Sequence, residues 1–170
     1  MSFLDRLTDP RHRQLYDYWD CKRVGRRMPR RRDLDPVEIP QLLPNMMIVE
    51  VVDNERFRFR LVGTAIVQAF GQDSTGRFLD DITSGEYRDF ILGVYRGVCG
   101  HGRPVFAASE FVTNKGFAVS ARRLMLPLSE DGCAVDRLVT LHLFHYGEAV
   151  PAIIALDKFP ARHETEILDG

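Results

Sequence analysis

Cysteine is scarce and scattered. Cys21, Cys99 and Cys133 are odd in number, far apart and without a C-x-x-C pair. That excludes a disulfide framework and a zinc site of ordinary spacing, and it suits a reducing compartment. Long apolar runs are also absent: no stretch approaches the roughly 18 residues needed to cross a bilayer. Arg6, Arg11 and Arg13 arrive where a signal peptide would need its apolar centre. A cytoplasmic protein with no membrane association is expected. Net charge is small, with 23 Lys+Arg against 24 Asp+Glu, so nothing draws the whole chain towards nucleic acid or acidic lipid. The G-x-S-x-G, H-E-x-x-H, P-loop and G-x-G-x-x-G patterns are all missing, and no catalytic role is expected.

The chain does have apolar material: 45% of its 170 residues are hydrophobic, enough for one domain with extensions. Phe57, Phe59 and Leu61 alternate with Arg58 and Arg60, giving a strand with one apolar and one charged face. Met46 to Val52 reads as a strand before it, with Asp53-Asn54-Glu55 as the hairpin loop. Ile66, Val67 and Phe70 fit a short helix ended by Gly71, and residues 71–76 are turn chemistry.

Upstream, Asp9-Pro10 starts a helix that places Leu15, Tyr18 and Trp19 on one face and ends near Gly25. Arg26 to Arg32 follows as a basic, largely extended arm. Asp35-Pro36-Val37-Glu38 starts a second, short helix, with Glu38 placed to close a capping box on Asp35. Pro40 and Pro44 keep that element to about a turn. Downstream, Thr83 to Glu86 reads as another capping box. The helix behind it sets Tyr87, Phe90, Ile91, Val94, Tyr95 and Val98 at i, i+3, i+4 spacing before Gly97, Gly100 and Gly102. Three strand-like runs follow, Pro104 to Val112, Phe117 to Pro127 and Val135 to Tyr146, with turns at 114–116 and 129–132. Gly147 to Pro151 breaks the pattern, 153–156 offers one further short element, and the last ten residues look frayed.

Short turns enforce antiparallel pairing within each group of strands. The economical assembly is an α+β fold: one five-stranded antiparallel sheet, helices on one face and the N-terminal helix covering the other. The divisions expected are 1–44 for the N-terminal helix and arm, 45–147 for the sheet domain and 148–170 for a C-terminal extension.

This order resembles the PAS fold, and several segments resemble a family of stand-alone bacterial PAS-domain proteins. They are Tyr18-Trp19, Gly25-Arg26, Pro29-Arg30-Arg31, Asp33 to Pro36, Leu43-Pro44, Phe59 to Thr64, Gly71 to Gly76, Leu126 to Ser129 and Asp131-Gly132. The resemblance implies a non-catalytic sensory or adaptor module in signal transduction. Such a module binds a small molecule on the inner sheet face, a protein partner, or both, and often forms a homodimer through the outer face. With no output domain in these 170 residues, signal is expected to leave by contact with another protein.

The candidate pocket set is Phe70, Tyr87, Phe90, Tyr95, Phe106, Phe111, Arg123 and His142, although for the aromatics simple core filling is the plainer account. Arg122 and Arg123 must point to opposite faces of their strand. One is read as a snorkelling or paired arginine, or else as an anchor for a carboxylate or phosphate. His142 and His145, three apart, also point to opposite faces. The long helix carries no histidine between Tyr87 and Val98 and no cysteine lies near the short helices, so haem and flavin are not expected. The candidate interface is Leu15, Tyr18, Trp19, Arg30 and Arg31, with packing of Trp19 on the domain's own sheet as the alternative. The arm lacks interleaved aromatics, so nucleic acid is not an expected partner. A small-ligand α+β enzyme and a nucleic-acid-associated regulator are the other classes weighed.

Overall fold

The computed structural model describes residues 3–112, 117–149 and 163–168. Two helices open the chain, α1 (Phe3–Arg6) and α2 (Pro10–Arg23). Asp9 caps α2 by accepting the Arg11 N–H at 2.9 Å, and Pro10 takes a first-turn position where no amide is needed. The helix stops at Arg23, with Val24 rather than Gly25 as its left-handed cap (φ 48).

Residues 26–32 do not form an extended arm. Met28 and Pro29 are buried, and the Pro29 carbonyl accepts the Ser129 N–H at 3.0 Å. A 3-10 turn follows at Arg31–Asp33. The cause is Asp33, which accepts from both the Arg26 guanidinium and the Arg30 N–H, drawing the arginines into a local fold. A second 3-10 turn at Pro36–Glu38 has the expected Asp35 cap on the Val37 N–H. Glu38 does not close the box. It accepts the Tyr18 hydroxyl at 2.6 Å and pairs with Lys22 at 2.7 Å, donors that outcompete a backbone amide for a carboxylate.

The hairpin of β1 (Met46–Val52) and β2 (Arg56–Val62) turns on Asp53 and Asn54, both left-handed (φ 52 and 58). Two such residues in succession form the type I′ turn that matches strand twist. Next come α3 (Thr64–Phe70), α4 (Leu79–Ile82) and α5 (Gly85–His101). The predicted capping box before α5 is replaced by a different bond: the Thr83 hydroxyl donates to the Leu79 carbonyl at 2.7 Å, and Ser84 caps with no side-chain bond. Gly102 (φ 58) ends α5, and Gly97 and Gly100 lie inside it.

The later strands are β3 (Val105–Val112), β4 (Phe117–Leu128), β5 (Arg137–Ala149) and β6 (His163–Ile167). They join the hairpin in one sheet of order β2-β1-β5-β4-β3-β6, every neighbour antiparallel. The five expected strands therefore lie side by side. Two details differ from expectation: β5 continues past Gly147, and part of the terminal segment expected to fray is the edge strand β6, paired to β3 from Val105↔Ile167 to Ser109↔His163. The turn at 114–116 and the apolar run at 153–156 lie outside the described residues.

Helices α3 to α5 roof one face of the sheet. The other is covered by α2 and the turns behind it, where Leu15, Trp19, Met28 and Leu42 are buried. The Trp19 indole N–H donates to the Pro127 carbonyl at 2.8 Å. Both faces of the central strands are consequently dry, and Leu124, Met125 and Leu126 are all fully buried.

Candidate functional site

A cavity of about 370 Å3 lies between the sheet and its roof of helices, within the range of about 300–1,000 Å3 usual for small-molecule sites. The sheet contributes Met47, Phe59, Val62 and His142 to its wall. Tyr87, Ile91 and Tyr95 line it from α5; spaced four apart, they stack on one helix face. Ile66 and Phe70 of α3 and Leu79 and Ile82 of α4 close the roof, with Gln72, Ser74, Thr83 and Ser84 as the polar groups on the wall. Phe70 is half exposed and meets Phe144 edge-on at 5.6 Å.

Of the residues nominated from sequence, Phe70, Tyr87, Tyr95 and His142 line this cavity. Arg123 stands behind Tyr87, whose hydroxyl lies 3.3 Å from its guanidinium. Phe90 borders a different hollow, between α5 and strands β3 and β6. Phe106 is on the opposite face of the sheet, edge-on to His12 at 5.5 Å. Its cross-strand partner is Leu124, one residue off Arg123, and a step of one reverses the face. The Phe111 side chain lies outside the described residues. Met47, Phe59, Val62 and Ile66 were read only as strand or helix residues. For Met47, Phe59 and Ile66 the apolar character was visible in the sequence, but nothing there says which apolar face is left incompletely filled. The alternation that put Leu61 beside Phe57 and Phe59 fails at a bulge in the β1–β2 pairing, which turns Leu61 outward and Val62 to the cavity.

The residues nominated as an interface are engaged within the chain. Leu15 and Trp19 are core, and the Tyr18 hydroxyl bonds Glu38 and the Asp35 amide. The Arg30 amide donates to Asp33, and Arg31 donates to the Leu34 carbonyl. Arg122 and Arg123 do face opposite ways: Arg122 is exposed and reaches Thr8, while Arg123 is fully buried. His142 is buried and His145 exposed. The acidic pair Asp80-Asp81 belongs to a surface clamp in which Arg56 bonds both carboxylates and lies 3.9 Å over the Phe78 ring.

The His142 ring is held by a neighbour on its own strand. Its Nε2 is 2.9 Å from the Thr140 hydroxyl, and its Nδ1 has no partner among the described residues. Burial, helped by the charge of Arg123, keeps this imidazole well below its ordinary pKa. Burial also pushes His12 down to about 4, against the pull of Asp9. Both rings are therefore neutral in the fold and must charge in the unfolded chain below pH 6.5, so the unfolded state binds more protons there. Stability present above that pH is lost as pH falls from about 6.5 towards 4, at about 1.4 kcal/mol per unit per histidine. The carboxylates with lowered pKa, Asp9 and Glu50 among them, begin to act only below their ordinary values near 4. Urea midpoints at pH 7, 6 and 5 test this. A midpoint that stays level down to pH 5 would show that the rings accept protons inside the fold.

No described helix is long and apolar enough to cross a membrane. No curated protein matches the chain in sequence. The family profile described as PAS domain matches residues 7–142, from the approach to α2 into the first half of β5, and so includes the α2 cover, the roof helices and strands β1 to β4 whole. The chain belongs to the PAS-domain family, whose members are sensory and signalling modules.

Proposed function

We propose that this PAS domain senses a small molecule of largely apolar body held between the sheet and α3–α5, and that its occupancy is read by another protein chain, a second copy included. The carrying observation is the cavity itself: aliphatic and aromatic walls from three strands and three helices, with a few polar groups among them. Such a lining suits binding, because apolar contacts supply affinity and sparse polar groups set orientation. The groups around it are hydroxyls, one amide and one imidazole held neutral, which suits a receptor without bond-making chemistry. In this reading 45–147 is the sensing unit, 1–44 its cover and 148–170 its extension. The free cysteines Cys21, Cys99 and Cys133 support a cytoplasmic setting.

Native mass spectrometry of the purified full chain, followed by release under denaturing conditions, identifies a retained ligand directly. A ligand at a hundred times its Kd adds about 2.7 kcal/mol to folding stability, readable as a rise in Tm. Val62→Trp, which fills the cavity from β2, should remove that rise. If no compound of a broad small-molecule panel shifts the wild-type Tm and no ligand is released, the sensing role of the cavity is wrong.

A further inference from the structure

Arg123, near the middle of β4, is fully buried. It lies directly opposite Ala107 on β3 and His142 on β5, so it shares the inner face with the cavity wall. Its guanidinium donates to the Ser109 hydroxyl at 2.7 Å, to the Tyr87 hydroxyl at 3.3 Å and to the Ala121 carbonyl at 3.5 Å. The last two are long. Among the described residues its Nε has no partner and no carboxylate pairs with it. A buried cation without a counter-charge is among the costlier arrangements a fold can hold, because neutral hydroxyls replace only part of its hydration.

A second orphan lies beside it. His142, the cross-strand neighbour of Arg123, lines the cavity, and its Nδ1 is buried without a partner. Tyr87 lines the same cavity, bonds the guanidinium and holds it 5.9 Å from its ring centroid. One unmet nitrogen and one shared hydroxyl thus lie on the wall of a largely apolar space, and the second unmet nitrogen stands behind that wall, next to Tyr87. What they lack is an acceptor carrying negative charge.

We infer that the cavity's ligand is a carboxylic acid with a hydrocarbon body, its carboxylate reaching Arg123 beside Tyr87 and His142 while its chain lies along Phe59, Ile66 and Ile91. The class follows from the count of charges. One guanidinium matches one carboxylate, whose two oxygens fit its planar fork, whereas a phosphate dianion would need further donors of positive charge. The inference rests on the sensory reading above and names the ligand class that reading leaves open.

Isothermal titration calorimetry on the full chain at pH 7.5 tests it, using the n-alkanoic acids of six, eight and ten carbons, each against its primary amide, and inorganic phosphate. Replacing a neutral acceptor by a charged one at a buried arginine should favour the best acid over its amide by about ten- to a hundred-fold. In Arg123→Met that ratio should fall to near one with amide affinity unchanged, and the ligand-free variant should melt above wild type because the uncompensated cation is gone. Acid and amide binding equally to wild type overturns the inference and leaves the apolar pocket standing, and this comparison needs no variant to fold. A lower Tm for Arg123→Met with the ratio intact marks Arg123 as structural and also overturns it. Phosphate binding more tightly than every acid overturns the ligand class. No binding by any acid or amide overturns the inference, and the compound panel and ligand release described above then decide the sensing role of the cavity on its own.

Discussion

Trp19→Ala should lower the folding stability of the protein by about 3–5 kcal/mol. The side chain is 1% exposed, with the Tyr16 ring tilted against it and Arg23 over its own ring, and its loss leaves a cavity between α2 and the sheet. Truncation also leaves the Pro127 carbonyl without its 2.8 Å donor, and a buried acceptor left unmet adds its own desolvation cost. Since a domain's whole stability is about 5–15 kcal/mol, this one residue carries a large part. Denaturant titration followed by circular dichroism measures it, with Trp19→Phe as the companion that keeps most of the ring and loses the hydrogen bond. A loss below about 1 kcal/mol would mean that α2 is a detachable cover. The expected loss makes it part of the core, and the family match beginning at Leu7 agrees with that.

Gly63→Ala is the second large effect, and conformational freedom is not the reason. Gly63 sits at φ −67, ψ 151, where any residue is comfortable. The obstacle is room. A Cβ there would lie 2.6 Å from the carbonyl carbon of Pro44 and closer still to the carbonyl oxygens of Leu43 and Pro44. These are backbone atoms of the turn that leads into β1, pinned by the Gly63 N–H donating to the Met46 carbonyl at 2.8 Å. Overpacking of this kind costs about 3 kcal/mol or more when no side chain can yield. Because α3 starts at Thr64, the displacement should also move Ile66 and Phe70 and weaken ligand binding. Near-wild-type urea midpoints would disprove the close approach.

Much of this was legible in the chain. Phe57 and Phe59 against Arg58 and Arg60 gave the inner face of β2, and Asp53-Asn54 gave a hairpin whose positive φ angles are those the turn requires. The row Tyr87, Ile91, Tyr95 was readable from spacing alone. Other features were not, each for a physical reason. The phase of β3 is hidden because Val105, Phe106 and Ala107 are all buried, and a strand dry on both faces has no polar marker to say which side Phe106 takes. Glu38 and Thr83 had the right residues for capping boxes, but Tyr18, Lys22 and the Leu79 carbonyl captured them, and competition between partners is a tertiary matter. Met28 and Pro29, set among arginines, gave no sign that the basic segment would bury its centre. The sequence leaves Arg122 and Arg123 as snorkelling or paired arginines or else an anion anchor; only the lack of a counter-charge for Arg123 among the described residues, invisible without neighbours, separates the two.

Helix α5 has a row on either flank. Tyr87, Ile91 and Tyr95 border the cavity under the roof, while Phe90, Val94 and Gly97 border the hollow of about 340 Å3 that Thr165 and Ile167 of β6 close. The helix is thus a party wall between two rooms. A stiff rod cannot give ground on one side without taking it on the other, so a guest large enough to push the first row outward would narrow the space against β6.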